Sequence, residues 1–229
     1  MILKTPASGH TIVADDAVVR IPSWVVDLAS FRRWYHSDDF PDEGRICYLQ
    51  DGVWVDMSKE QLFSHNKVKT EFSRCLATLV KEARLGHYFS DGARLSHPAT
   101  DLSCVPDGTF FTAQALQSGR IALVSGAREG YVELEGTPDM VLEIVSPGSE
   151  QKDTAWLRQA YWKAGIAEYW LVDVRGDRFV FDILRHRPKG YALTRKQAGW
   201  VRSRVFAKAF RLTREVGPTG LPEYTLEVR

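Results

Sequence analysis

Two carboxylates stand where a folded chain seldom leaves charge. Glu143 lies inside Pro138-Asp139-Met140-Val141-Leu142-Glu143-Ile144-Val145-Ser146-Pro147, and Asp107 follows Pro106 at the entry to a strand-like segment. A Glu in such an apolar run is costly to bury unless it is paired, hydrogen-bonded or metal-bound. Two acids on neighbouring core strands are what a divalent cation needs to hold a phosphate for hydrolysis. On residue type alone, turn chemistry after a φ-fixing proline is the better explanation of Asp107.

Strand alternation puts Val141, Glu143 and Val145 on one face and Met140, Leu142 and Ile144 on the other. A lysine two residues after the acid would complete a metal-nuclease set, but that position is Val145. The following helix offers a replacement: at 100° per residue Lys152, Trp156, Gln159 and Lys163 share a face. Lys152 and Lys163 are about 16 Å apart along the axis, so one metal site can use only one. Lys152 is nearer Glu143 and is favoured, against the competing reading of a solvated lysine. Asp139 shares the Glu143 face but lies ~13 Å along the strand, so a second ligand is better sought on another strand. His65 and Lys69, spaced i, i+4, read as the wet side of an amphipathic helix, with Glu71 on a different face. Trp156, Tyr161, Trp162, Tyr169 and Trp170 read as helix-on-sheet packing rather than base stacking.

The elements that must position these residues follow from periodicity and turn signals. Residues 1–44 read as an irregular extension with one amphipathic segment, Ser23 to Tyr35. Asp51-Gly52 marks a hairpin. Lys59 to about Leu85 is helical, with Leu62, Val68, Phe72, Cys75, Leu76, Leu79 and Val80 on one face. Val105 to Thr112 is a core strand. Met140–Val145, a helix from about Glu150 to Ala164, and Glu168–Val174 form a strand–helix–strand unit, which implies a parallel pair with a crossover helix. Hairpins follow around Pro188-Lys189-Gly190 and into a strand-like tail.

With 229 residues and 44% apolar content, the chain is one large domain or a domain with appendages. No apolar stretch reaches about 20 residues, so no transmembrane helix is expected. Met1 to Pro6 lacks a signal-peptide apolar region, and a cytoplasmic location away from membranes follows. Cys47, Cys75 and Cys104 form no Cys-x-x-Cys pair, which argues against zinc or a disulfide framework. Net charge is +1, yet Arg175 to Arg214 holds twelve basic residues against Asp177 and Asp182. That excess would attract a phosphate backbone or simply form a solvated hairpin surface.

In order and spacing, several pieces resemble the Uma2 family of restriction-endonuclease-like proteins, within the PD-(D/E)XK nuclease superfamily. They are Asp51-Gly52 with Met57, His65 opening a helix, Pro106-Asp107, Pro138 to Pro147, Asp153, Tyr161, and Gly165 to Asp173. The resemblance covers roughly Tyr48 to Asp173. It implies an α/β fold: a three-layer restriction-endonuclease-like core with a mixed central sheet flanked by helices, plus extra β-hairpins. The expected organisation is an N-terminal extension (1–44), a nuclease-like core (45–185) and a β-rich C-terminal extension (186–229). The resemblance further implies Asp107 and Glu143 as metal ligands with the Ile144 carbonyl as a third, Mg²⁺ (or Mn²⁺) as cofactor, DNA as partner, hydrolysis of phosphodiester bonds, and by analogy a homodimer. One departure matters. The family often carries a lysine four residues after the Asp that starts the helix, and from Asp153 that position is Leu157. Lys152, Arg158 or Lys163 would have to substitute. The alternatives are a catalytically impaired nucleic-acid-binding or regulatory module on the same fold, and an enzyme acting on RNA or a nucleotide.

Overall fold

The computed structural model describes residues 2–3, 10–14, 17–126 and 129–229. The readings made on Met1 to Pro6 fall largely outside the described residues. The chain divides into two compact units, each built from separate stretches: residues 1–59, 93–105 and 122–136 form the first, and 60–92, 106–121 and 137–229 the second.

The first unit carries a seven-stranded sheet in the order Ile2–Leu3, Gly52–Asp56, Arg45–Leu49, Leu102–Cys104, Arg94–His97, Tyr131–Gly136 and Ile121–Ser125. A helix, Leu28–Tyr35, starts where Asp27 and Ser30 cap each other's backbone amides. Its Leu28, Phe31 and Trp34 join Val19, Ile21, Val25, Ile46, Tyr48, Val53 and Val55 in a core. The segment expected to be irregular thus contains ordered elements, including an antiparallel pair of His10–Ala14 with Ala17–Ile21. The expected hairpin is present, with its turn one residue earlier: Gln50 and Asp51 take φ of 52° and 56°, and Leu49 pairs with Gly52. Two successive positive φ values make the type I′ turn that matches strand twist.

The second unit is built on a six-stranded mixed sheet in the order Gly190–Leu193, Val180–Arg187, Glu168–Asp173, Met140–Ile144, Gly108–Thr112 and Gly86–Phe89. Met140–Ile144 and Glu168–Asp173 run parallel, with Met140 beside Glu168 and Ile144 beside Val172. The crossover between them is helical, as the strand–helix–strand pattern requires. One face of the Met140–Ile144 strand sends Met140, Leu142 and Ile144 into a core with Val68, Phe72, Cys75, Leu76 and Val80 of the helix Lys67–Glu82. Full burial of each such large apolar side chain contributes about 1.5–3 kcal/mol. The other face presents Glu143 to the crossover helix. A sheet with a helix on each face is the three-layer α/β arrangement, here extended by a four-stranded antiparallel sheet, Lys196–Gln197 to Pro222–Val228.

Both helices that flank the sheet open with a wider, π-helical turn: Leu62–Asn66 before Lys67–Glu82, and Lys152–Leu157 before Arg158–Lys163. In the first, the Asn66 amide donates to the Gln61 carbonyl at 3.0 Å, a five-residue step. This corrects two expectations drawn from a uniform 100° spacing. Leu62, expected on the buried face, is 68% exposed, while His65, expected to be wet, is 1% exposed. Lys152 and Lys163 do not share a face: Lys152 is buried and Lys163 is exposed.

Candidate functional site

Strand register turns the two carboxylates toward the same face of the sheet. Gly108–Thr112 pairs antiparallel with Met140–Ile144, with Phe110 opposite Met140, Thr109 opposite Val141 and Gly108 opposite Leu142. One further step sets Asp107 opposite Glu143, and opposed residues of an antiparallel pair project from the same face. The Ile144 amide donates to Asp107 Oδ2 at 2.8 Å, which ties the acid to the neighbouring strand. Ile144, whose carbonyl is the expected ligand, thus also holds Asp107 through its N–H. Gly108 is needed beside it, since a Cβ there would lie 2.6 Å from the Tyr88 hydroxyl. Glu143 is 2% exposed and accepts a 2.6 Å hydrogen bond from the Tyr161 hydroxyl.

Lys152 enters from the crossover helix. Its Nζ lies 3.7 Å from Glu143 Oε2 and 2.8 Å from Asp153 Oδ1. Lys152 and Asp153 are adjacent at the start of the wider turn Lys152–Leu157, and both are buried. Asp153 is held in turn by the Ser149 hydroxyl, which donates to its carboxylate. The Ser146 amide and hydroxyl both donate to Ser149 Oγ at 2.9 Å, so the Ser-Pro-Gly-Ser turn after the strand anchors the ammonium's support. Of the other lysine substitutes, Lys163 is exposed and Arg158 donates to the Tyr191 carbonyl at 3.3 Å. Val145 and Leu157, the two positions where a lysine was expected, are fully buried apolar side chains. Asp139 is structural, accepting from the Thr112 amide at 2.7 Å and pairing with Arg120.

The charge in this cluster is lopsided. Burial pushes the Glu143 carboxyl well above the usual carboxylate range; Lys152 opposes the shift, and Asp153 and Asp107 add to it. Burial likewise pushes Asp153 up, against the pull of Lys152 and the Ser149 hydroxyl. Carboxylates that raise each other in a dry site are a donor set that a divalent cation suits, so the residues fit the metal expected from the sequence.

Three residues were not assigned to the site from sequence. His65 Nε2 lies 3.3 Å from Asp107 Oδ2 and its Nδ1 3.5 Å from Glu60 Oε2. Glu60, His65 and Asp107 each offer a ligand atom, all within 4.8 Å of one another. Lys69 Nζ bridges Glu60 at 3.1 Å and Asp91 at 2.6 Å, and comes within 3.9 Å of Asp107. The His65 and Lys69 spacing was visible; the turn that rotates His65 inward was not.

Part of the basic excess is spent inside the unit: Arg175 and Arg178 pair with Asp173 and Glu150, Lys196 with Asp182, and Arg211 with Glu227. A cationic group remains around Arg185. Burial lowers its pKa, Glu168 opposes this, and Arg204, Arg187 and Arg202 lower it further. Of the five aromatics, Tyr161, Tyr169 and Trp170 are fully buried, as packing requires, whereas Trp156 and Trp162 are only half-buried.

Among solved structures, the chain resembles one from Anabaena variabilis titled "a putative nuclease", with a TM-score of 0.57 and 20% identity over 80% of this chain and 91% of that one. At that identity the likeness concerns the fold. No curated protein matches. No described helix is long and apolar enough to cross a membrane. The Uma2 family model, described as "Putative restriction endonuclease", matches residues 28–215, which include both opposed carboxylates, His65 and the whole crossover unit. By that match, over far more than half of its length, this chain is a member of the Uma2 family.

Proposed function

We propose that this protein is a Mg²⁺- or Mn²⁺-dependent endonuclease that hydrolyses DNA phosphodiester bonds. The observation that carries the reading is the opposed pair Asp107 and Glu143 with a buried ammonium, Lys152, at 3.7 Å from Glu143. Asp107 and Glu143, with the Ile144 carbonyl, would hold the ion. When bound, it supplies a Lewis acid for the phosphoryl oxygen and the attacking water. Tyr161 holds Glu143 by one oxygen and leaves the other toward Lys152. Asp153 holds the Lys152 ammonium where negative charge develops on the phosphate. Lys152 thereby takes the place of the lysine missing at Val145 and Leu157. The Arg185, Arg187, Arg202 and Arg204 group supplies contacts to the phosphate backbone that carry no sequence information.

The test is plasmid cleavage with Mg²⁺ or Mn²⁺ by wild type and by Glu143→Ala. Cleavage by wild type alone is expected; equal activity in both sinks the assignment. The two apolar residues at the lysine positions favour a second reading, a binding module without catalysis. Salt-dependent DNA binding with no cleavage in any of several divalent metals would select it.

A further inference from the structure

His65 is buried and polar, yet neither ring nitrogen makes a hydrogen bond. Instead, each nitrogen faces a carboxylate: Nδ1 faces Glu60 at 3.5 Å and Nε2 faces Asp107 at 3.3 Å. A neutral imidazole has one N–H and one lone pair. Its proton can serve only one of these acids, and the other nitrogen would then present a lone pair to a carboxylate lone pair. Either a second proton on the ring or a metal cation lying between that nitrogen and the acid removes the conflict, and only the metal also serves the neighbouring acids as a shared partner. Glu60 is itself held by Lys69, whose Nζ lies 3.1 Å from both of its carboxylate oxygens. That contact fixes Glu60 as a partner for the ring. Asp107 is already tied to the strand that carries Glu143.

We propose that His65 is a metal ligand through Nε2, sharing the ion with Asp107, and that Glu60 is a positioning residue that accepts the Nδ1 proton and so fixes the tautomer. The inference rests on the metal-dependent reading above and adds a nitrogen donor to it. Carboxylate, histidine and metal in series is a common way to orient an imidazole ligand. An imidazole in the donor set changes the choice of ion. Mg²⁺ takes oxygen donors, whereas first-row transition ions accept imidazole readily. The site is therefore suited to a first-row transition ion over Mg²⁺, and Mn²⁺ is the probe that reads this out.

The experiment is Mn²⁺ binding to the full chain without DNA, read by calorimetry and by nitrogen hyperfine coupling in pulsed electron paramagnetic resonance, with Mg²⁺ calorimetry alongside. Wild type is expected to show imidazole coupling and tighter Mn²⁺ than Mg²⁺ binding. His65→Gln is expected to lose the coupling and at least about tenfold in Mn²⁺ affinity, with Mg²⁺ affinity changed less than about threefold. Glu60→Gln is expected to keep the coupling and weaken Mn²⁺ by roughly tenfold, the usual scale for a residue orienting a ligand. Glu60→Gln also keeps the test open should the His65 variant fail to fold. Mn²⁺ binding that Asp107→Asn abolishes, but with no nitrogen coupling in wild type, overturns the histidine ligand and leaves the metal site standing. Mn²⁺ binding indifferent to both Asp107→Asn and Glu143→Gln overturns the metal site itself.

Discussion

The two units each bury a glutamate among ionisable groups, and the two glutamates are treated in opposite ways. In the first unit Glu133 has a fully buried side chain, accepts from Arg32 at 2.8 and 3.2 Å and meets His36 at 2.7 Å. Burial pulls its pKa up, but the hydrogen bonds from Arg32, Ser96 and His36 outweigh burial and hold the carboxyl below its ordinary value. In the second unit Glu143 has one hydroxyl donor, an ammonium shared with Asp153, and Asp107 as a second acid nearby, and it is pushed up. A buried acid with its full set of donors serves stability. A buried acid short of positive charge marks a place kept for something that arrives later. The difference separates architecture from chemistry without reference to any relative.

The sharpest way to break the comparison is to neutralise each glutamate in turn. Glu143→Gln should lower metal-dependent cleavage by about a thousandfold or more, an effect of several kcal/mol on the barrier. The same change should raise the metal-free melting temperature by about 2–4 °C, since about 1 kcal/mol of repulsion is relieved. Glu133→Gln should do the reverse. It strands part of the Arg32 charge, costs about 3 kcal/mol in thermal or denaturant unfolding, and leaves Mn²⁺ affinity unchanged. A Glu133 variant that lost metal binding without losing stability would erase the distinction.

Next in size, Lys152→Met should slow single-turnover cleavage by about a hundredfold, while gel-shift affinity for DNA holds within a few-fold. The pH dependence sharpens the contrast further. Because Glu133 is depressed when folded, its contribution is present above its unfolded value of 4.5 and lost as pH falls through the lower folded value. Stability measured from pH 6 down to pH 3 should fall less steeply in Glu133→Gln than in wild type. The smallest effect is expected at the cationic group: Arg202→Ala with Arg204→Ala should weaken DNA binding a few-fold and reduce the salt slope by about 2.

Much of this was legible in the sequence, for a definite reason. Period-two alternation through Met140 to Val145 sets Glu143 on the face opposite Met140, Leu142 and Ile144, and the strand–helix–strand order fixes the parallel pair. Asp107 was legible as a residue but not as a neighbour, because antiparallel register between segments more than thirty residues apart leaves no local trace. Glu60 and the inward His65 were missed for another reason. Helical periodicity assumes 3.6 residues per turn, and the turn at Leu62–Asn66 departs from it. The same departure at Lys152–Leu157 hid the burial of Lys152 and gave Lys163 a false equivalence to it.

Those wide turns behave as phase shifts. Each holds one residue more than an α-turn would, so every side chain on its N-terminal side is rotated by about 100° relative to the helix that follows. Excising Asn66 from the first turn, or one residue after Asp153 from the second, would leave the apolar stripe of the downstream helix almost intact, yet swing His65 or Lys152 toward solvent. The geometry of the candidate site is therefore adjustable by insertion and deletion, independently of the packing that keeps the scaffold folded.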